Sequence, residues 1–267
     1  MPSAIKSSHR TLALFKLFSR EQMPLTVTAI ANGIGIPQSS ASVLIRSLLQ
    51  QGYLEQSVAD RTYYPSMRLF LLSSWMQNQH YWAARLPKLL SEMSIAIEES
   101  AVLAMRNGIY AQYLLTHRGR DPKDAHVESG MLFPLACSST GWCLLMSESN
   151  QEIGRIARRT VAETDNAHWQ KTAARAIDNV AITRSNGFGF AREIARPSLG
   201  GISIRLPAMP GVGPIAVGAG GRLERIEKKK DQILEALARF AEDVEALSIA
   251  AMQQSDQAST AIKARSA

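Results

Sequence analysis

The apolar positions of this chain change period several times, and each change marks an element. Over residues 9–19 (HRTLALFKLFS) Leu12, Phe15 and Phe18 recur every third residue, with Leu14 beside them, and predict an amphipathic helix. Met23-Pro24 ends it, because proline disfavours helix in the residue before it. A short helix follows, with Thr26 or Thr28 as its N-cap and Ile30 facing inward. Gly33 and Gly35 permit a tight turn, and Pro37 pre-sets the first turn of the next helix. There Ala41, Leu44, Ile45 and Leu48 fall at i, i+3, i+4 and i+7, a buried stripe. The remaining positions carry Gln38, Ser39, Ser40, Ser42, Val43 and Arg46. Short polar side chains let a helix approach phosphates and base edges closely, although an ordinary solvated face has the same look.

Gly52, Tyr53 and Leu54 then lead into a hairpin, with Ala59-Asp60-Arg61 at its tip and Thr62, Tyr63 and Tyr64 returning as a strand. Arg61 is placed to meet a nucleic-acid backbone or minor groove. Two short helices, a tight turn and a hairpin make the layout of a winged helix-turn-helix, a unit that reads DNA.

Residues 67–82 (MRLFLLSSWMQNQHYW) predict a connecting helix with Leu69, Leu72, Trp75 and Met76 near one stripe. So much apolar surface on a connector points to a partner helix or subunit, with packing on the neighbouring domain as the alternative. A helix from Leu86 to Glu99 opens the larger domain. SAVLAMRNGIYAQYLLTH predicts a hairpin turning at Asn107-Gly108, and FPLACSSTGWCLLMS a loop running into a helix. NAHWQKTAARAIDNVAITRSNG predicts an amphipathic helix closed by Gly187. FGFAREIA, GGISIRLPA and GPIAVGAGG predict short strands. A long last helix over 222–250 turns Ile226, Ile233, Leu237, Phe240, Val244 and Leu247 to the core, and the polar, aperiodic 253–267 predicts disorder. Helices flanking an antiparallel sheet give an α+β sensor domain. The expected boundaries are 1–66 for the winged helix, 67–85 for the linker, 86–250 for the sensor and 251–267 for the tail.

Charge and chemistry narrow the function. The net charge of +7 divides into +3 over residues 1–66 (six Lys/Arg against three acids) and +4 over the rest (24 against 20). A mildly basic chain is compatible with DNA, and the placement of Arg46 and Arg61 matters more than the sum. No apolar run approaches the ~18 residues needed to span a bilayer, and MPSAIKSSHR lacks the apolar core of a signal peptide, so a cytoplasmic protein without a membrane partner is expected. Cys137 and Cys143 have no CxxC spacing, and His9, His80, His117, His126 and His168 show no metal-ligand spacing; no metal and no cofactor are expected. GVGPIA at 211–216 matches a loose dinucleotide fingerprint, but Pro214 lies inside it and no helix follows. With neither a GxSxG elbow nor a Walker motif, an enzyme is the lesser hypothesis. Ser138, Ser139 and Thr140 stand at the start of a helix, where capping or anion binding explains them better than catalysis.

Four segments, in order, resemble those of one family. GIPQSSASVLIRSLLQQGYLE is similar to a helix-turn-helix pattern of Leu-Pro-Lys-Ser-Thr followed by Leu-Leu and Gly-Tyr-Leu. FPLACSSTGWCLLM is similar to Pro-Leu-His-Ala-Thr-Ala-x-Gly-Lys-Ala-Leu-Leu-Ala, with Trp142 where the lysine is common. RSNGFGFAREIA resembles Arg-x-x-Gly-Tyr-Ala followed by Glu, and PIAVGAGG stands where a core strand reads Ala-Leu-Ser-Val-Ser-Gly. From about Ser8 to Leu247 the chain resembles the IclR family of transcriptional regulators.

The resemblance implies an N-terminal winged helix on a palindromic double-stranded operator, a dimerising linker helix, and a GAF-like C-terminal domain that binds a small organic acid. It also implies a homodimer or tetramer. Many members have a polar or basic residue where this chain has Val43. The positions that in some members surround a bound acid with Asp, Cys and two serines correspond to Ala191, Gly201, Gly218 and Gly220. The polar set is lost and volume is gained. A larger, flatter ligand is expected, an aromatic carboxylate, anchored by Cys137, Ser138, Ser139, Thr140 and Arg192.

Overall fold

In the computed structural model the chain divides into two compact units, Met1–Gln79 and His80–Ala267. The structure describes residues 6–72, 81–121, 127–193, 197–209 and 212–265, without the side chains of 81–82 and 251–265. Trp75 and Met76 of the expected linker stripe, and His80 and His126, lie outside the described residues.

The first unit runs α1 (Lys6–Glu21), α2 (Val27–Ile34), α3 (Gln38–Gln50), β1 (Leu54–Ser57), β2 (Thr62–Pro65) and α4 (Met67–Leu72). Leu14, Leu17 and Phe18 are the buried face of α1, and Leu12 is exposed. Of the expected face, Leu14 and Phe18 are buried and Phe15 packs partly against them; Leu12 faces solvent, and Leu17 takes its place. The face is set by where α2 approaches: a Cβ at Gly33 would stand 2.7 Å from both Leu17 methyls, so the two helices close through a glycine. Thr26 caps α2, its hydroxyl accepting from Ala29 N–H at 3.2 Å, and Gly35 ends it in the left-handed region at φ 66°. Ala41, Ile45 and Leu48 bury against Leu14, Ile30 and Leu54, with Leu44 half-buried beside them. β1 and β2 pair antiparallel from Leu54↔Pro65 to Ser57↔Thr62. Leu25 adds a third short rung by exchanging backbone bonds with Tyr63 at 2.9 and 2.8 Å.

The second unit is built on a six-stranded antiparallel sheet. Its strands are β3 (Ser100–Asn107), β4 (Tyr110–His117), β5 (Leu132–Pro134), β6 (Gly189–Arg192), β7 (Leu199–Arg205) and β8 (Ile215–Arg222). They lie in the order β5-β4-β3-β8-β7-β6. The β3–β4 turn places Gly108 at φ 63°, first of the two turn residues. Against one face pack α5 (Leu86–Ile97), α10 (Leu223–Lys228) and α11 (Lys230–Arg265). Against the other pack α6 (Ser139–Leu144), α7 (Asn150–Glu163), α8 (Ala167–Ala173) and α9 (Ala176–Asn186).

Three expectations change here. The single helix over 166–187 is two, α8 and α9, broken at Ala174-Arg175; Asn166 caps the first and Gly187 ends the second. The last helix is interrupted at Lys229, whose ammonium donates to Ile97 O at 3.0 Å. Its expected core face holds: Ile226, Ile233, Leu237, Phe240 and Val244 are buried, with Leu247 partly so. Residues 253–265 continue α11 as helix rather than as a structureless tail. That stretch has neither glycine nor proline, so polarity alone does not stop the propagating backbone ladder. A helix absent from the sequence reading, α7, is capped by Ser149 and buries Ile153, Ile156, Ala157 and Thr160.

Candidate functional site

On α3 the candidate DNA-reading residues divide by what already occupies them. Ser42 donates its hydroxyl to Gln38 O at 2.9 Å, and the Gln38 amide donates to Thr28 Oγ1 at 3.3 Å. Ser40 and Ser42 are half-buried, while Gln38, Ser39, Val43 and Arg46 are exposed. Arg61 is exposed at the end of the β1–β2 loop with φ 50°, and the Ser57 hydroxyl donating to Asp60 at 3.1 Å braces that loop. The whole candidate set therefore belongs to one helix and one hairpin of the same unit.

In the second unit a cavity of about 330 Å³ opens between the sheet and the segment from β5 through α8. Its volume sits at the lower end of the roughly 300–1,000 Å³ of small-molecule sites. Tyr113, Phe133 and Trp169 line it with rings in sequence, at centroid distances of 5.4 and 6.0 Å. Ser100, Ser138, Ser139, Thr140 and Ser203 supply hydroxyls, and Gly200, Gly201, Gly220 and Gly221 supply bare backbone. Among the described residues no Lys, Arg or His lines it.

The hydroxyls form a network before any ligand enters. Ser138 caps α6, accepting from Gly141 N–H at 3.0 Å, and receives the Thr140 hydroxyl at 3.3 Å. Thr140 lies 3.5 Å from the Tyr113 hydroxyl, and Ser139 and Ser203 meet at 2.8 Å. Burial raises the Tyr113 phenol above its ordinary range. The Cys137 thiol donates to Trp169 O at 3.3 Å, and burial pushes its pKa up to about 12. It is therefore a neutral packing group at ordinary pH. Cys143 is likewise buried, free and raised to about 12.

Of the expected effector residues, Cys137, Ser138, Ser139, Thr140, Gly201 and Gly220 line this cavity, as does Ala191. Gly218 and Arg192 do not. A side chain at Gly218 would run into the Ser203 hydroxyl, so the volume expected there is already filled. Arg192 follows Ala191 on β6, and strand alternation sends the two to opposite faces. Its guanidinium stacks 3.8 Å over Phe190 and pairs with Glu227 at 2.9 Å. The aromatic wall, Ser100 and Ser203 were missed. They come from five elements spread along the chain, and nothing in local periodicity joins them. Trp142, where the family pattern has lysine, is buried and donates its indole N–H to Ala136 O at 3.0 Å. Among the described residues no cluster of His, Cys, Asp or Glu could hold a metal ion.

A helix-turn-helix unit and a cavity-bearing α+β unit are the parts of a transcriptional regulator with an effector domain, and sequence comparison agrees. The IclR helix-turn-helix domain matches residues 8–57, and the bacterial transcriptional regulator IclR C-terminal domain matches residues 78–246. The chain belongs to the IclR family of transcriptional regulators, which are not enzymes. It is 26% identical over 235 residues to the glycerol operon regulatory protein of Streptomyces coelicolor, covering 85% of this chain and 88% of that one. The protein of the same name from Streptomyces griseus is 24% identical over 234 residues, with the same shares. Among solved structures, the Thermotoga maritima IclR superposes with a TM-score of 0.62 at 14% identity, covering 92% of this chain and 100% of that one. An IclR homolog from Microbacterium hydrocarbonoxydans complexed with 4-hydroxybenzoate gives 0.61 at 16% identity, covering 91% and 99%. At such identities the likeness is one of fold.

Proposed function

We propose that this regulator binds a palindromic operator as a dimer in the cytoplasm, controls a catabolic operon, and senses a small aromatic carboxylic acid. The observation that carries the ligand class is the cavity's two-sided wall. A planar ring fits against Tyr113, Phe133 and Trp169, where apolar burial supplies most of the affinity. A carboxylate at the other end meets the hydroxyls of Ser100, Ser138, Ser139, Thr140 and Ser203, with Cys137 packed beside them. With no cation among the described lining residues, these neutral donors must offset the cost of desolvating the charge. One ring and one acid group suit the volume better than two rings. The homolog solved with 4-hydroxybenzoate supports the same class.

On the DNA side, α3 enters the major groove and Arg61 on the hairpin meets the backbone or minor groove. The ligand acts by favouring one of two arrangements that differ in operator affinity, since equal affinity for both would change nothing. Calorimetry against benzoates, phthalates and aliphatic diacids tests the class. Binding of a single-ring acid supports it, and binding of aliphatic acids alone overturns it.

A further inference from the structure

On α3 the outward residues Ser39, Val43 and Arg46 make no side-chain hydrogen bond or ion pair among the described residues, whereas Gln38 and Ser42 bond to Thr28 and to the helix itself. Spacings of four and three residues put these on one stripe of the helix. Val43 stands at its centre and is 65% exposed. A β-branched side chain has little rotamer freedom on a helix, so it presents two methyls in a fixed direction. In water that exposure gains nothing. In the major groove one kind of base carries an apolar group at its edge, thymine with its C5-methyl.

Resting on the reading of α3 as the base-reading helix, we infer that Val43 is a specificity-determining residue that selects a thymine through its C5-methyl. Arg46 lies three residues on, about 4.5 Å along the helix axis at 1.5 Å per residue. A base-pair step is about 3.4 Å. The thymine selected by Val43 therefore lies one or two base pairs from the position that Arg46 contacts.

The test replaces each thymine of one operator half-site, singly, by deoxyuridine, which keeps the hydrogen-bonding edge and removes the methyl. Wild-type protein should bind about three- to tenfold more weakly at one position, the loss expected for one buried methyl group and its packing. Val43→Ser should bind the unmodified operator more weakly and be indifferent to deoxyuridine at that position; Val43 is exposed, so the variant folds. Arg46→Ala serves as the control for the helix assignment. If it weakens binding while no deoxyuridine does, or while Val43→Ser keeps the wild-type sensitivity, the inference fails and the assignment of α3 stands. If Arg46→Ala binds like wild type as well, the reading of α3 fails and the inference with it.

Discussion

Ser139 on α6 and Ser203 on β7 join hydroxyl to hydroxyl at 2.8 Å on the cavity wall, a side-chain bond that ties this helix to the sheet where a ligand would sit. Ser203 is 1% exposed, so removing Ser139 strands its hydroxyl. Ser139→Ala should cost about 1–3 kcal/mol of stability, and the double variant with Ser203→Ala less than the sum of the singles, because both partners then leave together. Urea unfolding of the cycle measures this. Ser139→Ala should also weaken acid binding; an effect no larger than that of exposed Lys88→Ala would remove Ser139 from the site.

Two glycines separate room for a ligand from room for the fold. A Cβ at Gly220 meets only Gly200 O, at 3.6 Å, so Gly220→Val should fold and fill the cavity. Calorimetry should then show no acid binding, while operator binding survives. A Cβ at Gly141 runs into the Leu135 backbone, and Gly141→Ala should cost more than the ~1–3 kcal/mol typical of overpacking, read as a lowered Tm. A well-folded Gly220→Val that still binds the acid normally would place the ligand elsewhere.

Cys137 offers a pH readout. Its pKa, raised to about 12 by burial, leaves almost no thiolate at pH 8. Alkylation of the native protein should be slow there and rise about tenfold per pH unit as the thiolate fraction grows, while denatured chains react at both cysteines. A bound acid should slow the native reaction at Cys137 further. Fast alkylation at pH 8 in the folded state would contradict the buried position.

The linker prediction is narrower than the apolar run that suggested it. Leu72 on α4 is 50% exposed and Met67 is 65% exposed. If this surface is covered in the dimer, Leu72→Ser with Met67→Ser should shift sedimentation toward monomer. An unchanged oligomer would move the interface to the second unit.

The winged helix was legible almost residue by residue. Thr26, Gly35, Pro37 and the 41–45–48 stripe each act through local rules, and local rules are what a sequence displays. Leu12 was misread because the α1 face is chosen by Gly33 on another helix. In the sensor, the cavity's hydroxyl end was legible because Ser138, Ser139 and Thr140 are adjacent. Its aromatic end was not, since Tyr113, Phe133 and Trp169 meet only through strand pairing and the docking of α8. Arg192 failed for a simpler reason: once Ala191 faces the cavity, strand alternation excludes its neighbour.

The most direct measurement is a nuclease footprint of the purified protein on the DNA upstream of its own gene, with and without a single-ring aromatic acid. A palindromic protected segment whose protection changes with the acid is the predicted result. Absence of any protected segment, or protection that no such acid alters, would contradict the account of this chain as a regulator responsive to an aromatic acid.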